Sequence, residues 1–184
     1  MPVATAELFY ALLAVVAQVF VVGVVVVRVF ARGSDRARRW YEGLARAVAP
    51  NALAIAWAIA ALATAGSLYF SEVAQFEPCR LCWYQRIAMY PLVVILAMGA
   101  ARRDRSIVPY AIALAGIGAA IATYHVGLEW IPALDTGACD ASAPCTLVWF
   151  RELGYVSLPV LALTAFLSII TVLSVRTDEQ RSPA

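Results

Sequence analysis

Long apolar runs separated by short polar connections dominate the pattern of this chain. A helix that crosses the hydrocarbon core of a bilayer needs about 20 mostly apolar residues. The stretches that meet or approach this length are residues 8–27, 52–70, 87–101, 107–128 and 156–175. The third stretch is short, but Leu81, Trp83 and Tyr84 before it can extend it. We therefore predict five membrane-spanning helices.

The composition supports a membrane protein. Of the 184 residues, 63% are hydrophobic and 14% are charged, whereas soluble domains contain about 45–50% apolar and about 25% charged residues. A soluble protein of this size would expose most of that apolar surplus to water. A disordered chain needs the opposite balance. An ordinary soluble enzyme and a disordered chain are both excluded, which leaves an all-α integral membrane protein.

The distribution of arginine predicts the orientation. All 14 basic residues are arginine, and eleven of them fall in or beside the connections between spans one and two, between spans three and four, and after span five. The remaining three are Arg80, Arg86 and Arg151. Cytoplasmic loops carry the excess of basic residues. We expect a multi-pass protein of the cytoplasmic (inner) membrane with its N-terminus outside and its C-terminus, including the polar tail 177–184, in the cytoplasm.

The first cytoplasmic connection, residues 34–48, has two interpretations. Trp40, Leu44 and Val48 recur every four residues, which is typical of a short amphipathic helix lying on the membrane. A solvated basic loop that anchors the topology is the alternative. Neither interpretation is catalytic.

Four cysteines all fall on the predicted outer side. Cys79 and Cys82 precede span three, and Cys139 and Cys145 lie in the longer connection between spans four and five. The outer side of a bacterial membrane is oxidising, so an even number of cysteines there indicates disulfides or thiol–disulfide exchange. The small, polar segment between Cys139 and Cys145 can close a short ring that another protein can reach.

The first cysteine pair is a C-x-x-C motif at the start of a membrane helix, directly after Pro78. Free N–H groups and the helix dipole stabilise a thiolate there and raise its reactivity. Arg86 lies four residues beyond Cys82, on the same helix face. We expect it to stabilise the Cys82 thiolate and to hydrogen-bond a carbonyl oxygen of a bound electron acceptor, because an arginine at membrane depth is costly.

Three other interpretations of these residues are open. The four cysteines can hold a zinc ion, although an adjacent arginine makes a poor cation site. They can form two inert structural disulfides. Arg86 can snorkel to the membrane interface with no role in chemistry.

A longer motif identifies a family resemblance. The run PCRLCWYQRIAMYP at residues 78–91 closely resembles the signature of the bacterial disulfide bond formation protein B family, DsbB, including its BdbC-like branch. The run YHVGLEW at residues 124–130 and the later cysteine pair are also similar to that family. The resemblance implies a four-helix transmembrane bundle at residues 50–176. Residues 1–49 then form an extra N-terminal helix and a basic loop, for which the family offers no guide.

The resemblance also implies a function, that of a quinone-dependent protein-disulfide oxidoreductase. Cys79 and Cys82 would be the pair coupled to a membrane quinone, either menaquinone or ubiquinone, with Cys82 at the quinone ring and Arg86 supporting its binding. Cys139 and Cys145 would oxidise a DsbA-like thioredoxin-fold partner, which sustains disulfide formation in exported proteins. The short separation of the two loop cysteines differs from some members of the family.

His125 and several aromatic residues complete the candidate site. His125, the only histidine, can relay a proton to the reduced quinone or tune that site; a hydrogen bond to the backbone at the interface is the alternative. The aromatic residues can line a quinone pocket or form the belt at the headgroup level; they are Trp83, Tyr84, Trp130, Trp149 and Tyr155.

Two rival functions remain open. A quinone reductase that resembles vitamin K epoxide reductase also couples cysteine pairs to a quinone, but its loop pair precedes its C-x-x-C, whereas here the order is reversed. A non-catalytic membrane scaffold or small transporter with structural disulfides is the other. The redox state of the cysteines discriminates, because a relay cycles between thiol and disulfide and a structural disulfide stays oxidised.

Overall fold

A computed structural model describes residues 2–135, 137, 139 and 143–175. The α-helices in this part of the chain are α1 (Val3–Phe30), α2 (Asp35–Val48), α3 (Ala52–Leu68), α4 (Arg80–Arg102), α5 (Val108–Trp130) and α6 (Leu158–Ser174). A π-helical turn, Tyr69–Val73, prolongs α3, and short 3-10 turns occur at Ala49–Asn51, Arg105–Ile107 and Pro132–Leu134. The polar tail predicted at residues 177–184 lies outside the described residues.

Helix length and hydropathy confirm an all-α membrane protein. The helical stretches long and apolar enough to cross a membrane are Val3–Phe30, Asp35–Val73, Arg80–Arg102 and Arg105–Trp130. The apolar α6 has 17 residues, or about 26 Å at ~1.5 Å per residue, which is close to the ~30 Å hydrocarbon core. Helices α3 to α6 form the four-helix bundle, and α1 is the extra N-terminal helix.

Helix α4 begins at Arg80, so it includes the residues expected to extend the apolar run that starts at residue 87. Hydropathy alone misplaces this start because Gln85 and Arg86 interrupt the apolar run. Both side chains are buried against the protein, at 7% and 9% exposure, so neither faces lipid. The C-x-x-C motif is consequently part of the first turn of a membrane helix.

Small residues allow the helices of the bundle to approach closely. In lipid, helices associate through tight packing rather than through the hydrophobic effect, so small residues are favoured at their contacts. Buried alanines recur on α3 at Ala52, Ala56 and Ala60. On α5, a Cβ atom at Gly118 would lie 2.2 Å from the ring of Phe166 of α6. Glycine is therefore required where that ring crosses α5.

The connection at residues 34–48 forms helix α2, which excludes the solvated loop. Its buried face carries Tyr41 and Ala45, which pack with Val24 of α1 and Val175, while Trp40 is 72% exposed. Leu44 and Val48 of the face predicted to be apolar pack against this cluster, so only Trp40 of that face remains exposed. The opposite end of the bundle carries the cysteines.

Candidate redox site

All four cysteines lie in one apolar cluster at the end of the bundle opposite α2. Leu81 of α4 and Leu128 of α5 are the buried aliphatic side chains of this cluster. The cysteines come from the start of α4 and from the connection between α5 and α6, which the antiparallel helix order brings to the same end. The structure thus brings the two predicted pairs together.

The two pairs differ in redox state. Cys139 and Cys145 form a disulfide, and Cys79 and Cys82 are free thiols. Within the disulfide, Cys145 is buried at 1% exposure, whereas Cys139 is half-buried. Cys139 is therefore the more accessible sulfur of the loop pair.

Cys79 occupies the N-cap of α4. The backbone N–H of Cys82 donates to the Cys79 Sγ at 3.4 Å, as an N-cap side chain should accept from the first helical turn. The sulfurs of Cys79 and Cys82 lie 3.0 Å apart. The hydrogen bond with Cys82, aided by the hydrogen bond with His125, outweighs burial and lowers the pKa of Cys79 to about 4. Cys79 is thus a thiolate at neutral pH, which is the reactive form.

His125 connects the two cysteine pairs. Its Nε2 lies 3.1 Å from the main-chain carbonyl oxygen of Cys145 and 3.7 Å from the Cys79 Sγ. A carbonyl oxygen only accepts, so Nε2 carries the proton. The other ring nitrogen, Nδ1, then accepts from the Gln85 amide at 3.0 Å. His125 is 3% exposed, so the histidine predicted near the membrane interface is enclosed in the protein.

Arg86 is anchored on α3. Its Nε donates to the Ser67 Oγ and its Nη2 donates to the Ser67 carbonyl oxygen, each at 3.0 Å. The guanidinium also lies 5.1 Å from the centre of the Trp83 ring. Its Nη1 makes no hydrogen bond to any described residue, which leaves the two N–H groups of this nitrogen for a ligand. An arginine fixed in this way by the bundle is not a freely snorkelling side chain.

Two cavities meet at Cys82. The larger, of about 550 Å³, is enclosed by α1, α3, α4 and α6 and is lined mostly by apolar side chains, with Arg86, Gln85 and Ser67 near Cys82. The smaller, of about 180 Å³, is lined by Cys79, Cys82 and His125 together with the loop that carries Cys145. Cys82 lines both cavities. Cys79 and His125 line only the smaller one.

The aromatic residues divide into two groups. Trp149 lines the large cavity and stacks on Phe76, with ring centres 4.8 Å apart. The other candidates are between 40% and 53% exposed, as expected of a belt at the membrane interface; they are Trp83, Tyr84, Trp130 and Tyr155.

The same residues have the spacing of a metal site. The ligand atoms of Cys79, Cys82 and His125 lie within 4.8 Å of one another. Two thiolates and an imidazole match the ligand preference of Zn²⁺. Chemically, the cluster can therefore either hold zinc or exchange disulfides.

Two residues of the site did not follow from the motif analysis. Ser67 holds Arg86, and Gln85 orients His125. Gln85 carried a usable signal, because a polar amide beside an arginine at membrane depth needs a buried partner. Ser67 carried none, since an isolated serine in an apolar helix bonds most simply to its own backbone.

Comparison with known proteins agrees with this geometry. Residues 49–175 match the family described as disulfide bond formation protein DsbB. A probable disulfide formation protein C from Bacillus cereus is 45% identical over 119 residues, covering 64% of this chain and 86% of the relative. The disulfide bond formation protein C of Bacillus subtilis is 42% identical over 115 residues, covering 62% and 83%. No solved structure matches the chain.

A helical membrane bundle with paired cysteines at one end defines a membrane thiol oxidoreductase of disulfide formation. The chain belongs to the DsbB family. The match begins after α2, so α1 and most of the basic connection lie outside it.

Proposed function

We propose that this protein reoxidises a DsbA-like thioredoxin-fold partner and passes the electrons to a membrane quinone. In this proposal the electrons enter at Cys139–Cys145, move to Cys79–Cys82 and leave from Cys82. The position of Cys82 between the two cavities carries the proposal. One cavity is bordered by the loop that carries Cys145, and the other extends from Arg86 between apolar side chains.

The large cavity fits a quinone in size and chemistry. Its volume of about 550 Å³ lies within the ~300–1,000 Å³ of small-molecule sites. Arg86 would hold a ring carbonyl through Nη1, and Cys82 would face the ring. A quinone bound there would accept two electrons from the reduced cysteine pair, and the accompanying protons would come from the remaining thiol and from water. The chain supplies the position, the thiolate and a dry enclosure.

The first step is exchange with the partner. A thiolate of the reduced partner attacks the Sγ of Cys139, the Cys139–Cys145 bond breaks, and Cys145 leaves as a thiolate. The second thiolate of the partner then attacks the mixed disulfide and releases Cys139. The partner departs oxidised, and both loop cysteines are reduced. The greater accessibility of Cys139 favours it as the sulfur attacked.

The second step is exchange inside the protein, starting from the oxidised Cys79–Cys82 pair. The Cys145 thiolate attacks Cys79, and Cys82 leaves as a thiolate. Cys139 then attacks the Cys145–Cys79 bond, which restores the loop disulfide and releases Cys79. His125 is placed to position this exchange, because it touches Cys79 and the main chain of Cys145. The result is the state seen here, with a loop disulfide and two free thiols.

The decisive experiment measures both half-reactions on the purified protein in lipid nanodiscs. A reduced thioredoxin-fold oxidase from a bacterial envelope is added with menaquinone or ubiquinone, and partner thiols and quinone are followed together. We expect one quinone consumed for each partner disulfide formed. The Cys82→Ser variant should show neither sustained oxidation of partner thiols nor reduction of quinone. Partner oxidation without quinone consumption would contradict the proposal.

Other functions give different outcomes in the same assay. A structural disulfide keeps Cys139–Cys145 oxidised in the presence of excess reduced partner, and a zinc site yields about one zinc per chain by metal analysis. A quinone reductase of the vitamin K epoxide reductase type also reduces quinone, but in that family the loop pair precedes the C-x-x-C along the chain, whereas here it follows. The proposed relay requires that the loop pair react first.

A further inference from the structure

The N-terminal helix α1 has no counterpart in the matched family region, residues 49–175, yet it lines the large cavity. We infer that α1 forms one wall of a groove for the apolar tail of the quinone and thereby helps decide which quinones the protein uses. This inference rests on the proposed function, since the head of the same molecule would lie at Cys82 and Arg86.

One stripe of α1 faces the cavity. Tyr10, Leu13, Ala17 and Phe20 recur every three or four residues, with Ala14 beside Leu13, as expected of a single helix face. Ten residues of helix span about 15 Å, which is about half the thickness of the hydrocarbon core. The wall is therefore long enough to accompany several units of an extended tail.

Helix α1 is held against the bundle by specific contacts. Gln18 donates to the Thr164 Oγ1 of α6 at 2.9 Å and accepts from the Tyr155 hydroxyl at 2.6 Å. Polar contacts of this kind bind helices to each other within lipid. Near the cysteine end, Tyr10 packs at Gly66 of α3, where a Cβ atom would lie only 2.7 Å from its ring. These contacts fix α1 in register beside the cavity.

The cavity changes in character along its length. Its polar side chains near the cysteine end include Glu77, Gln85 and Arg86, whereas its far end reaches Phe20 of α1, Val48 of α2 and Val172 of α6. A groove with one polar end and a long apolar remainder fits an amphiphile whose head is the reacting part. Because the polar end contains the redox-active Cys82, the groove suits an amphiphile with a redox-active head better than an ordinary lipid.

Photo-crosslinking tests the wall directly. A quinone that carries a photoreactive group at the end of its tail is added to the wild-type protein in nanodiscs, irradiated and mapped by mass spectrometry. We expect crosslinks on α1, in the proteolytic fragment that ends at Arg28, and expect competition by unlabelled quinone. Crosslinks confined to α3 to α6, or to lipid, would overturn the inference.

A pair of variants tests quinone selection. Ala17→Phe inserts a ring into the groove, whereas Val19→Phe adds a ring to the lipid side, where Val19 is 68% exposed. The added ring of Ala17→Phe would occupy space that the tail needs, and overfilling a site is unfavourable. We therefore expect the apparent KM of Ala17→Phe for a long-tailed quinone to rise about tenfold, with little change for a tail-less analogue. Val19→Phe should match the wild type with both.

The outcomes separate the inference from the proposed function. If the wild-type protein reduces no quinone, the proposed function fails and the inference fails with it. If the wild type reduces quinone but Ala17→Phe and Val19→Phe behave alike, α1 is only a packing helix. Thermal melting of both variants shows whether either has lost its fold. If one has, the crosslinks on the wild-type protein decide whether α1 lines the groove for the tail.

Discussion

His125 donates a hydrogen bond from Nε2 to the main-chain carbonyl oxygen of Cys145, 3.1 Å away. The two residues come from α5 and from the loop that precedes α6. The same nitrogen lies 3.7 Å from the Cys79 Sγ, so one imidazole touches both redox pairs. This contact places the loop disulfide against the C-x-x-C.

Replacing His125 should impair the exchange between the pairs. His125→Ala removes its contacts with Cys145 and Cys79, and hydrogen bonds to charged groups contribute about 1.5–3 kcal/mol. We expect partner oxidation to slow by about tenfold to a hundredfold in a stopped-flow assay. Thr123→Ala is the control, because Thr123 bonds only to Ala119 of its own helix. If His125→Ala oxidises the partner as fast as Thr123→Ala does, His125 has no role in the exchange between the cysteine pairs.

The two loop cysteines should behave differently when mutated. Cys145→Ser leaves Cys139 as a free thiol without the sulfur that completes the exchange. It should therefore displace thionitrobenzoate from a single-cysteine partner activated as the mixed disulfide with that leaving group, and the resulting disulfide between Cys139 and the partner should persist. Cys139→Ser should trap far less, because Cys145 is buried. Non-reducing electrophoresis measures the trapped complex. Greater trapping in Cys139→Ser would reverse the assigned order.

The thiolate of Cys79 predicts a specific pH dependence. Because the hydrogen bond with Cys82 and the nearby His125 lower the pKa of Cys79 to about 4, this sulfur becomes protonated only as the pH falls through that value. The rate of its alkylation by iodoacetamide should therefore be nearly constant from about pH 6 to about pH 8. The rate for a thiol with a pKa of about 8.5 instead rises roughly tenfold per pH unit over this range.

Mass spectrometry can follow this reaction residue by residue. Cleavage after Arg80 separates the peptide of Cys79 from that of Cys82, so each sulfur is quantified on its own in the reduced protein. The denatured protein is the reference and should show the ordinary rise with pH. A similar rise at Cys79 in the folded protein would mean that its thiolate is not stabilised.

Arg86 should act on quinone use rather than on the partner. Loss of a hydrogen bond to a charged group costs about 1.5–3 kcal/mol, so Arg86→Ala should raise the apparent KM for quinone by about tenfold to a hundredfold. Lysine should rescue only in part, because it lacks the planar fork that bonds twice to Ser67 and once to a ligand. The apparent KM for the reduced partner should stay unchanged in steady-state kinetics.

Ser67 offers a graded test of the same site. Ser67→Ala keeps the carbonyl that binds Nη2 of Arg86 but removes the hydroxyl that binds Nε. We expect a severalfold rise in the quinone KM, smaller than that of Arg86→Ala. Thr123→Ala, which changes a hydroxyl bonded to the Ala119 carbonyl of its own helix, is the control, because Thr123 lines neither cavity. If neither Arg86 nor Ser67 affects the quinone KM, the guanidinium is only a structural anchor.

The orientation in the membrane is a separate prediction. Reporter fusions at Gly33 and Arg103 should report cytoplasm, and a fusion at Gly137 should report the outer side, because the basic connections remain inside. The cysteines then face an oxidising compartment. A cytoplasmic signal from Gly137 would invalidate both the topology and the proposed exchange with an exported partner.

The helices and the end of the bundle that carries the cysteines could be predicted from the sequence. Both depend on local quantities, namely the length of an apolar run and the order in which such runs cross the membrane. The motif around Cys79 and Cys82 also placed Arg86 one turn beyond Cys82, and both residues line the large cavity. The apolar run itself starts only at residue 87, whereas α4 begins at Arg80, because Gln85 and Arg86 are buried inside the bundle and hydropathy does not record burial.

Only the tertiary structure decided which groups meet. Ser67 reaches Arg86 across 19 residues, and Gln85 reaches His125 across 40, so neither pairing follows from spacing along one helix. The position of α1 beside the cavity likewise depends on contacts with α3 and α6. Any apolar helix face is stable in contact with lipid. Hydropathy therefore predicts that a helix spans the membrane but not which of its faces contacts another helix. Close packing and a few buried hydrogen bonds then determine which faces touch.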